Sequence, residues 1–135
     1  MSAELPTPVV TPETAPYWEG ARAGKLLLQR CLACRALRFY PRRACPSCWS
    51  ERVEWVEASG RGRVHSFTVI HRPPAPAFAS RLPYVVALVD LEEGPRMMAN
   101  VVGDGALEVA IDDPVTVTFE PRGDIALPQF QRVAR

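Results

Sequence analysis

The 135-residue sequence predicts a mainly β protein in two parts, a short helix with a cysteine-turn ribbon and then a small barrel of five strands. Three observations carry this prediction. The four cysteines occur as Cys31-Leu-Ala-Cys34 and Cys45-Pro-Ser-Cys48. From residue 53 onward, short runs rich in Val, Thr and aromatic residues alternate with Gly, Pro and Asp clusters, the pattern of strands joined by turns. Helix signals gather in one segment, TAPYWEGARAG.

Residues 1–15 read as a proline-rich arm (Pro6, Pro8, Pro12), extended or disordered unless a partner orders it. Residues 16–52 hold the helix and the ribbon. Pro16 suits the first helical turn, Trp18, Ala21 and Arg22 share a face, and Gly24 is a natural terminator. Lys25 to Arg30 reads as a strand feeding the first cysteine turn. The segment RALRFYPRRA joins the two turns, with Phe39 and Tyr40 expected to pack on the ribbon and Trp49 to cover its edge.

Two residues between cysteines let both sulfurs of a tight turn face one point, and two such turns make the tetrahedral thiolate cage that zinc favours. The expected cofactor is therefore one structural Zn²⁺ held by Cys31, Cys34, Cys45 and Cys48, with no coordination position left for Lewis-acid chemistry. The alternatives are two disulfides or four free thiols. Disulfides need an oxidising compartment. The opening segment MSAELPTPVVTPETAP lacks the basic-then-apolar order of a secretory signal, so a cytoplasmic setting is expected. No apolar run approaches the length that spans a bilayer.

Residues 53–135 form the expected barrel. Its predicted strands are Glu54 to Ala58 continuing into Arg63 to His71, then Tyr84 to Leu91, Arg96 to Val102, Val115 to Glu120 and Leu127 to Val133. Val115, Val117 and Phe119 alternate cleanly inward. Ser59-Gly-Arg-Gly62 reads as a bend where the long first strand turns a barrel corner, and Glu93-Gly94-Pro95 as a tight hairpin. Five curled antiparallel strands in a segment this short suit an oligonucleotide/oligosaccharide-binding (OB) fold.

Charge is unevenly spread. Residues 22–72 carry eleven Arg or Lys against three Glu, a balance of +8, whereas residues 73–135 carry five Arg against nine acids, a balance of −4. Fifteen of the sixteen basic residues are Arg, whose planar fork matches phosphate and carboxylate. Arg38, Arg42, Arg43, Arg61, Arg63 and Arg72 are thus either anion ligands or solvated arms of a small ribbon.

Catalytic equipment is nearly lacking. Metal binding would occupy all four thiols, and no nucleophile-elbow Ser, Walker loop or glycine-rich dinucleotide fingerprint is present. His65 and His71 read as residues of one strand with the same parity, of surface or interface type. Glu92-Glu93 and Asp112-Asp113 read as solvated turn formers. Binding is better supported. Tyr84-Val-Val-Ala-Leu-Val89 is apolar on both faces, so the ribbon, the helix or a partner must cover its outer side. The proline-rich loop from His71 to Leu82 carries Phe78, placed either to dock a partner or to pack on its own barrel.

The order TAPYWEGARAGKLLLQRC, CPSC, EWVEASGRGRVHSFTVIHR, PYVVALVDLEEGPRMMANV and a terminal LPQF resembles the domain of unknown function 35 family, from about Tyr17 to Phe130. That family joins a rubredoxin-like zinc ribbon to an OB-fold and is associated with acyl-CoA; some members have lost the cysteines that this chain keeps. The resemblance implies a non-catalytic accessory subunit of thiolase-superfamily enzymes. Such subunits join a thiolase to hydroxymethylglutaryl-CoA synthase, belong to acyltransferase complexes, or support an aldolase that shortens steroid side chains. The catalytic residues then lie on the partner, and acyl-CoA is shared with it.

On this reading Arg38, Arg42, Arg43 and Arg72 are candidates for CoA or another anion, and Trp18, His71, Phe78 and Tyr84 for the partner interface. A single-stranded nucleic-acid binder is the rival, because ribbons and OB barrels also serve that role. The basic residues cluster outside the acidic barrel half, which argues against nucleic acid. An independent acyl-CoA hydrolase lacks a base and a nucleophile.

Overall fold

The computed structural model describes residues 5–133. Helix α1 spans Ala15–Arg22, with Pro16 in its first turn and basic Arg22 in its last. Thr11 and Thr14 bond each other's backbone ahead of it, and Gly24 leaves it at φ +81°, the left-handed exit that glycine permits. The helix buries Tyr17, Gly20 and Ala21, with Trp18 partly buried against the core. The reason is contact with the strand that follows: a Cβ on Gly20 would stand 2.6 Å from Leu27 Cδ1.

The ribbon is a three-stranded sheet of order β2-β1-β3, made of β1 (Leu27–Cys31), β2 (Leu37–Arg38) and β3 (Val53–Glu57). β3 pairs along its whole length with β1, from Leu27↔Glu57 to Cys31↔Val53. The single long strand expected from Glu54 to His71 is therefore two strands in two sheets. Ser59 and Gly60 form the joint between ribbon and barrel, not a barrel corner. Gly60 takes φ +83° and faces Val117, whose Cγ1 would lie 2.6 Å from an added Cβ. Only glycine allows that backbone and that approach together.

The barrel comprises β4 (Arg61–Ile70), β5 (Tyr84–Leu91), β6 (Arg96–Val101), β7 (Pro114–Arg122) and β8 (Ile125–Arg132), closed in the order β4-β5-β6-β8-β7. This is the five-stranded OB arrangement expected. The β5–β6 hairpin turns at Gly94 (φ +115°), where Leu91 N donates to Pro95 O. β5 alternates strictly, with Val85, Ala87, Val89 and Leu91 buried and Tyr84, Val86, Leu88 and Asp90 facing out. Val64, Val85, Val89, Val115 and Phe130 are at most 1% exposed, and their cluster runs on into Tyr17, Leu26 and Leu28. Helix, ribbon and barrel thus share one core. Among the described residues no helix is long and apolar enough to cross a membrane.

Several local readings change. A register shift between Val64 and Ser66 puts His65 in a bulge, and β4 ends at Ile70, so His71 lies beyond the strand. Asp113 is only 4% exposed and accepts from Ala110 N at 2.8 Å and pairs with Arg132 Nε at 3.2 Å. It is a buried anchor of the turn before β7, not a solvated turn former. Glu92 accepts from Ser59 Oγ (2.8 Å) and Arg61 Nε (2.7 Å), and Glu93 accepts from Ser59 N (2.7 Å). The pair ties the β5–β6 turn to the joint after the ribbon.

A cysteine cage and an apolar groove at the barrel seam

The two cysteine turns come together at one end of the ribbon. Cys31 ends β1, and Cys34 follows in a turn closed by Arg35 N donating to Cys31 O at 2.9 Å. The second turn repeats this, with Trp49 N donating to Cys45 O at 2.8 Å. Arg35 and Trp49 close their turns in the left-handed region, at φ 69° and 68°. That backbone turns the Trp49 indole outward, 82% exposed, instead of over the metal edge as expected.

The four Sγ atoms lie within 4.8 Å of one another, with Cys31–Cys48 at 3.5 Å and Cys34–Cys45 at 3.6 Å. A tetrahedral zinc–thiolate centre has sulfur–sulfur edges of about 3.8 Å, given Zn–S bonds of about 2.3 Å. The donor set and its spacing fit one structural Zn²⁺. Backbone amides prepare the anions: the Cys34 N–H (3.4 Å) is the main reason the Cys31 thiol is lowered to about 6. Ser47 N–H lowers Cys45 in the same way. At Cys48 the Ser50 amide also favours the thiolate, but the adjacent sulfurs and burial prevail and raise it to about 11. A divalent ion held by these four cysteines would favour the Cys48 thiolate as well.

The second feature is a groove of about 480 Å³ between the barrel and the helix–ribbon unit. Trp18, Phe39 and Tyr40 stand on one side and Phe78, Tyr84 and Met98 on the other. The aromatic wall is built by edge contacts: Tyr17 to Trp18 at 4.8 Å, Tyr17 to Phe39 at 5.6 Å, and Phe39 to Tyr40 at 5.0 Å. Opposite it, Phe78 tilts against Tyr84 at 6.0 Å. Phe78 sits in a 3-10 turn at Pro76–Arg81. That turn is tied to β7 by Arg81 Nη1 donating to Glu120 at 3.1 Å, while Arg122 donates to the same carboxylate at 2.6 Å and to Pro6 O at 2.9 Å. Burial opposes ionisation of Glu120, yet the two arginines hold it below the usual carboxylate range. One carboxylate thus fastens both the Phe78 turn and, through Arg122, the proline-rich arm. Residues 1–4 of that arm lie outside the described residues.

The groove exists because the barrel seam is barely stitched. β6 and β8 run parallel and share one bridge, Val101↔Phe130. Across the rest of the seam a side-chain pair replaces the ladder: Asn100 N donates to Gln129 Oε1 at 2.7 Å and Gln129 Nε2 donates to Asn100 Oδ1 at 3.1 Å.

Of the residues singled out in the sequence, Trp18, Phe78 and Tyr84 share this groove. His71 and Arg72 are exposed in the bend after β4 and do not line it. Arg38 and Arg42 line an adjoining notch of about 330 Å³ with Arg96. Arg43 pairs instead with Glu51 at 2.9 Å. The seam itself was missed; its one sequence signal is Pro128 inside an otherwise continuous strand.

Residues 18–54 match the model for the ChsH2 rubredoxin-like zinc ribbon domain, and residues 55–120 match that for the ChsH2 C-terminal OB-fold domain. The probable enoyl-CoA hydratase alpha subunit of Thermomonospora curvata is 42% identical over 93% of this chain and 39% of its own. The chain therefore spans about two fifths of that relative. A DUF35 domain-containing scaffold protein of Methanothermobacter thermautotrophicus is 38% identical over 67% of this chain and 68% of its own. The benzoylsuccinyl-CoA thiolase subunit BbsA of Geobacter metallireducens is 36% identical over 68% and 60%. Among solved structures, a chain of the Ltp2-ChsH2(DUF35) aldolase superposes with a TM-score of 0.84 at 40% identity, over 95% of this chain and all of that one. With its ribbon, its OB barrel and these relatives, the chain belongs to the DUF35 family.

Proposed function

We propose that this protein is an accessory subunit that docks on a thiolase-like enzyme in the cytoplasm and helps form its acyl-CoA site, the catalytic residues lying on the partner. The observation that carries this reading is the aromatic groove on the outer side of β5 and β6, which is the ligand face of OB barrels. Its walls carry Trp18, Phe78 and Tyr84, an apolar surface that an isolated chain leaves to water. Relatives named as a thiolase subunit and as part of an aldolase support the same class of partner. A CoA thioester fits the chemistry on offer: apolar walls for an acyl chain, arginines beside them for phosphate. The nucleic-acid reading fits less well, because the aromatic side chains face a groove whose barrel half carries net negative charge.

The experiment is co-expression with thiolase-like proteins encoded beside it, followed by size-exclusion chromatography and assay of the partner's CoA-thioester reaction. A stable heteromer whose activity depends on this chain is the expected result. Recovery of the chain alone, with the enzyme equally active without it, would refute the accessory role.

A further inference from the structure

The seam groove has a floor of strand edge. In an antiparallel pair, successive residues turn their N–H and C=O alternately toward and away from the neighbour. Asn100 N points across the seam to Gln129 Oε1, so Met98, two residues earlier on β6, turns its own N–H and C=O the same way. No strand faces it there, because β6 and β8 meet only at Val101↔Phe130. The cause lies in β8. Phe130 O accepts from Val102 N across the seam; Pro128, two residues earlier, faces the same side and has no N–H to give. The β6–β8 ladder therefore cannot gain a hydrogen bond from residue 128.

Three cavities then follow β6 in a line. The notch with Arg38, Arg42 and Arg96 lies at its start and shares Phe39 and Tyr40 with the seam groove. The groove in turn shares Phe78, Tyr84 and Asn100 with a cavity of about 480 Å³ beyond the strand's end. Asp90 and His65 occupy part of the Arg96 guanidinium. Arg38 donates from Nη2 to Arg42 O at 3.2 Å, but its Nε and Nη1 are buried without a hydrogen-bond partner, a costly state for a cation. From Arg96 to Asn100 the strand covers about 13 Å at about 3.3 Å per residue.

We infer that the Pro128-opened seam is a track for a phosphopantetheine arm, phosphate at the Arg38–Arg42 notch, an amide paired with Met98 N–H and C=O, and the thioester end toward Phe78 and Tyr84. The inference rests on the acyl-CoA reading above and adds the mode of recognition. An anionic head, an extended amide-bearing chain and an apolar tail occur in that order in phosphopantetheine thioesters, and the three cavities present their complements in the same order.

The test is titration of the full-length zinc-loaded chain, followed through the Met98 amide resonance, with CoA, free phosphopantetheine and pantetheine as probes. Binding should shift that resonance. Pro128→Val supplies the missing donor and lets β8 pair with β6. It should weaken CoA about tenfold, the value of one or two hydrogen bonds lost to competition, while leaving thermal stability equal or higher, so a folding defect is not the cause. Arg42→Gln should weaken phosphopantetheine but not pantetheine. CoA binding tighter than free phosphopantetheine marks CoA as the source, and the reverse marks a carrier-protein arm; both support the track. An unmoved Met98 resonance, undiminished affinity in a folded Pro128→Val, or saturation of the seam by an extended peptide in place of CoA would overturn it. Heteromer formation is independent of these readouts, so failure of the track and failure of the accessory role are told apart.

Discussion

Replacing Cys31 with Ser removes one corner of the sulfur cage, and the structure sets the size of the effect. Cys31 is fully buried, so no water replaces the lost ligand without repacking. Each cysteine turn holds one residue in the left-handed region, Arg35 and Trp49, at a cost of about 1–2 kcal/mol each. Four backbone hydrogen bonds oppose that cost: Cys31 N to Ala36 O, Arg35 N to Cys31 O, Cys45 N to Ser50 O and Trp49 N to Cys45 O, worth about 1 kcal/mol each. Ordering the turn residues costs about 1–2 kcal/mol apiece. Without metal the turns therefore do not hold, and zinc binding, on the order of 10 kcal/mol in small cysteine-rich modules, is what closes them. Hydrogen exchange at Arg35, Cys45 and Trp49 in Cys31→Ser should accelerate by about three orders of magnitude or more, about 4 kcal/mol. Zinc measured by plasma mass spectrometry should fall from one per chain to none. Barrel amides such as Val64 and Val117, bonded to Asp113 O and Gly60 O, should stay protected. Full zinc content with slow exchange at the turns would refute the cage.

Gly60→Ala should destabilise the fold by about 1–3 kcal/mol in denaturant melts, since the new Cβ meets Val117 on a left-handed backbone; unchanged stability would show that the joint relaxes freely. Phe130→Ala should cost about 3–5 kcal/mol, because the ring is fully buried at the single β6–β8 bridge; a loss below 1 kcal/mol would mean that the barrel end collapses to fill the space. Glu120 is held below its unfolded value, so its share of stability is present above about pH 4.3 and is lost as pH falls through the lower folded value. Glu120→Gln should therefore lose about 1–2 kcal/mol near neutrality, flatten the acid limb of the stability curve, and speed exchange in the Phe78 turn; an acid limb identical to that of the unsubstituted chain would assign the slope elsewhere.

How much of this is legible in sequence depends on how local the cause is. Cys-x-x-Cys spacing acts within one turn, so the cage is readable from four residues. The strand from Tyr84 to Leu91 and the Glu93-Gly94-Pro95 turn are equally local, and both appear where expected. The split between β3 and β4 was not readable, because Glu54 to His71 has strand character throughout and only pairing with β1 assigns its first part to the ribbon. The buried face of α1 was likewise not readable, because it is set by where Leu27 lies against Gly20.

By itself, then, the sequence determined the two-part β architecture and the sulfur ligands, since turn chemistry, strand period and thiolate spacing act between neighbours along the chain. Tertiary structure alone decided which side chains share a space. Trp18, Tyr40, Phe78 and Tyr84 are scattered over residues 18–84 yet line one groove, while His71 and Arg72, close to Phe78 in sequence, do not. The physical reason is closure. A five-stranded sheet that closes into a barrel must bring its third strand, β6, against its fifth, β8, and with a proline on β8 that joint is held by a single bridge.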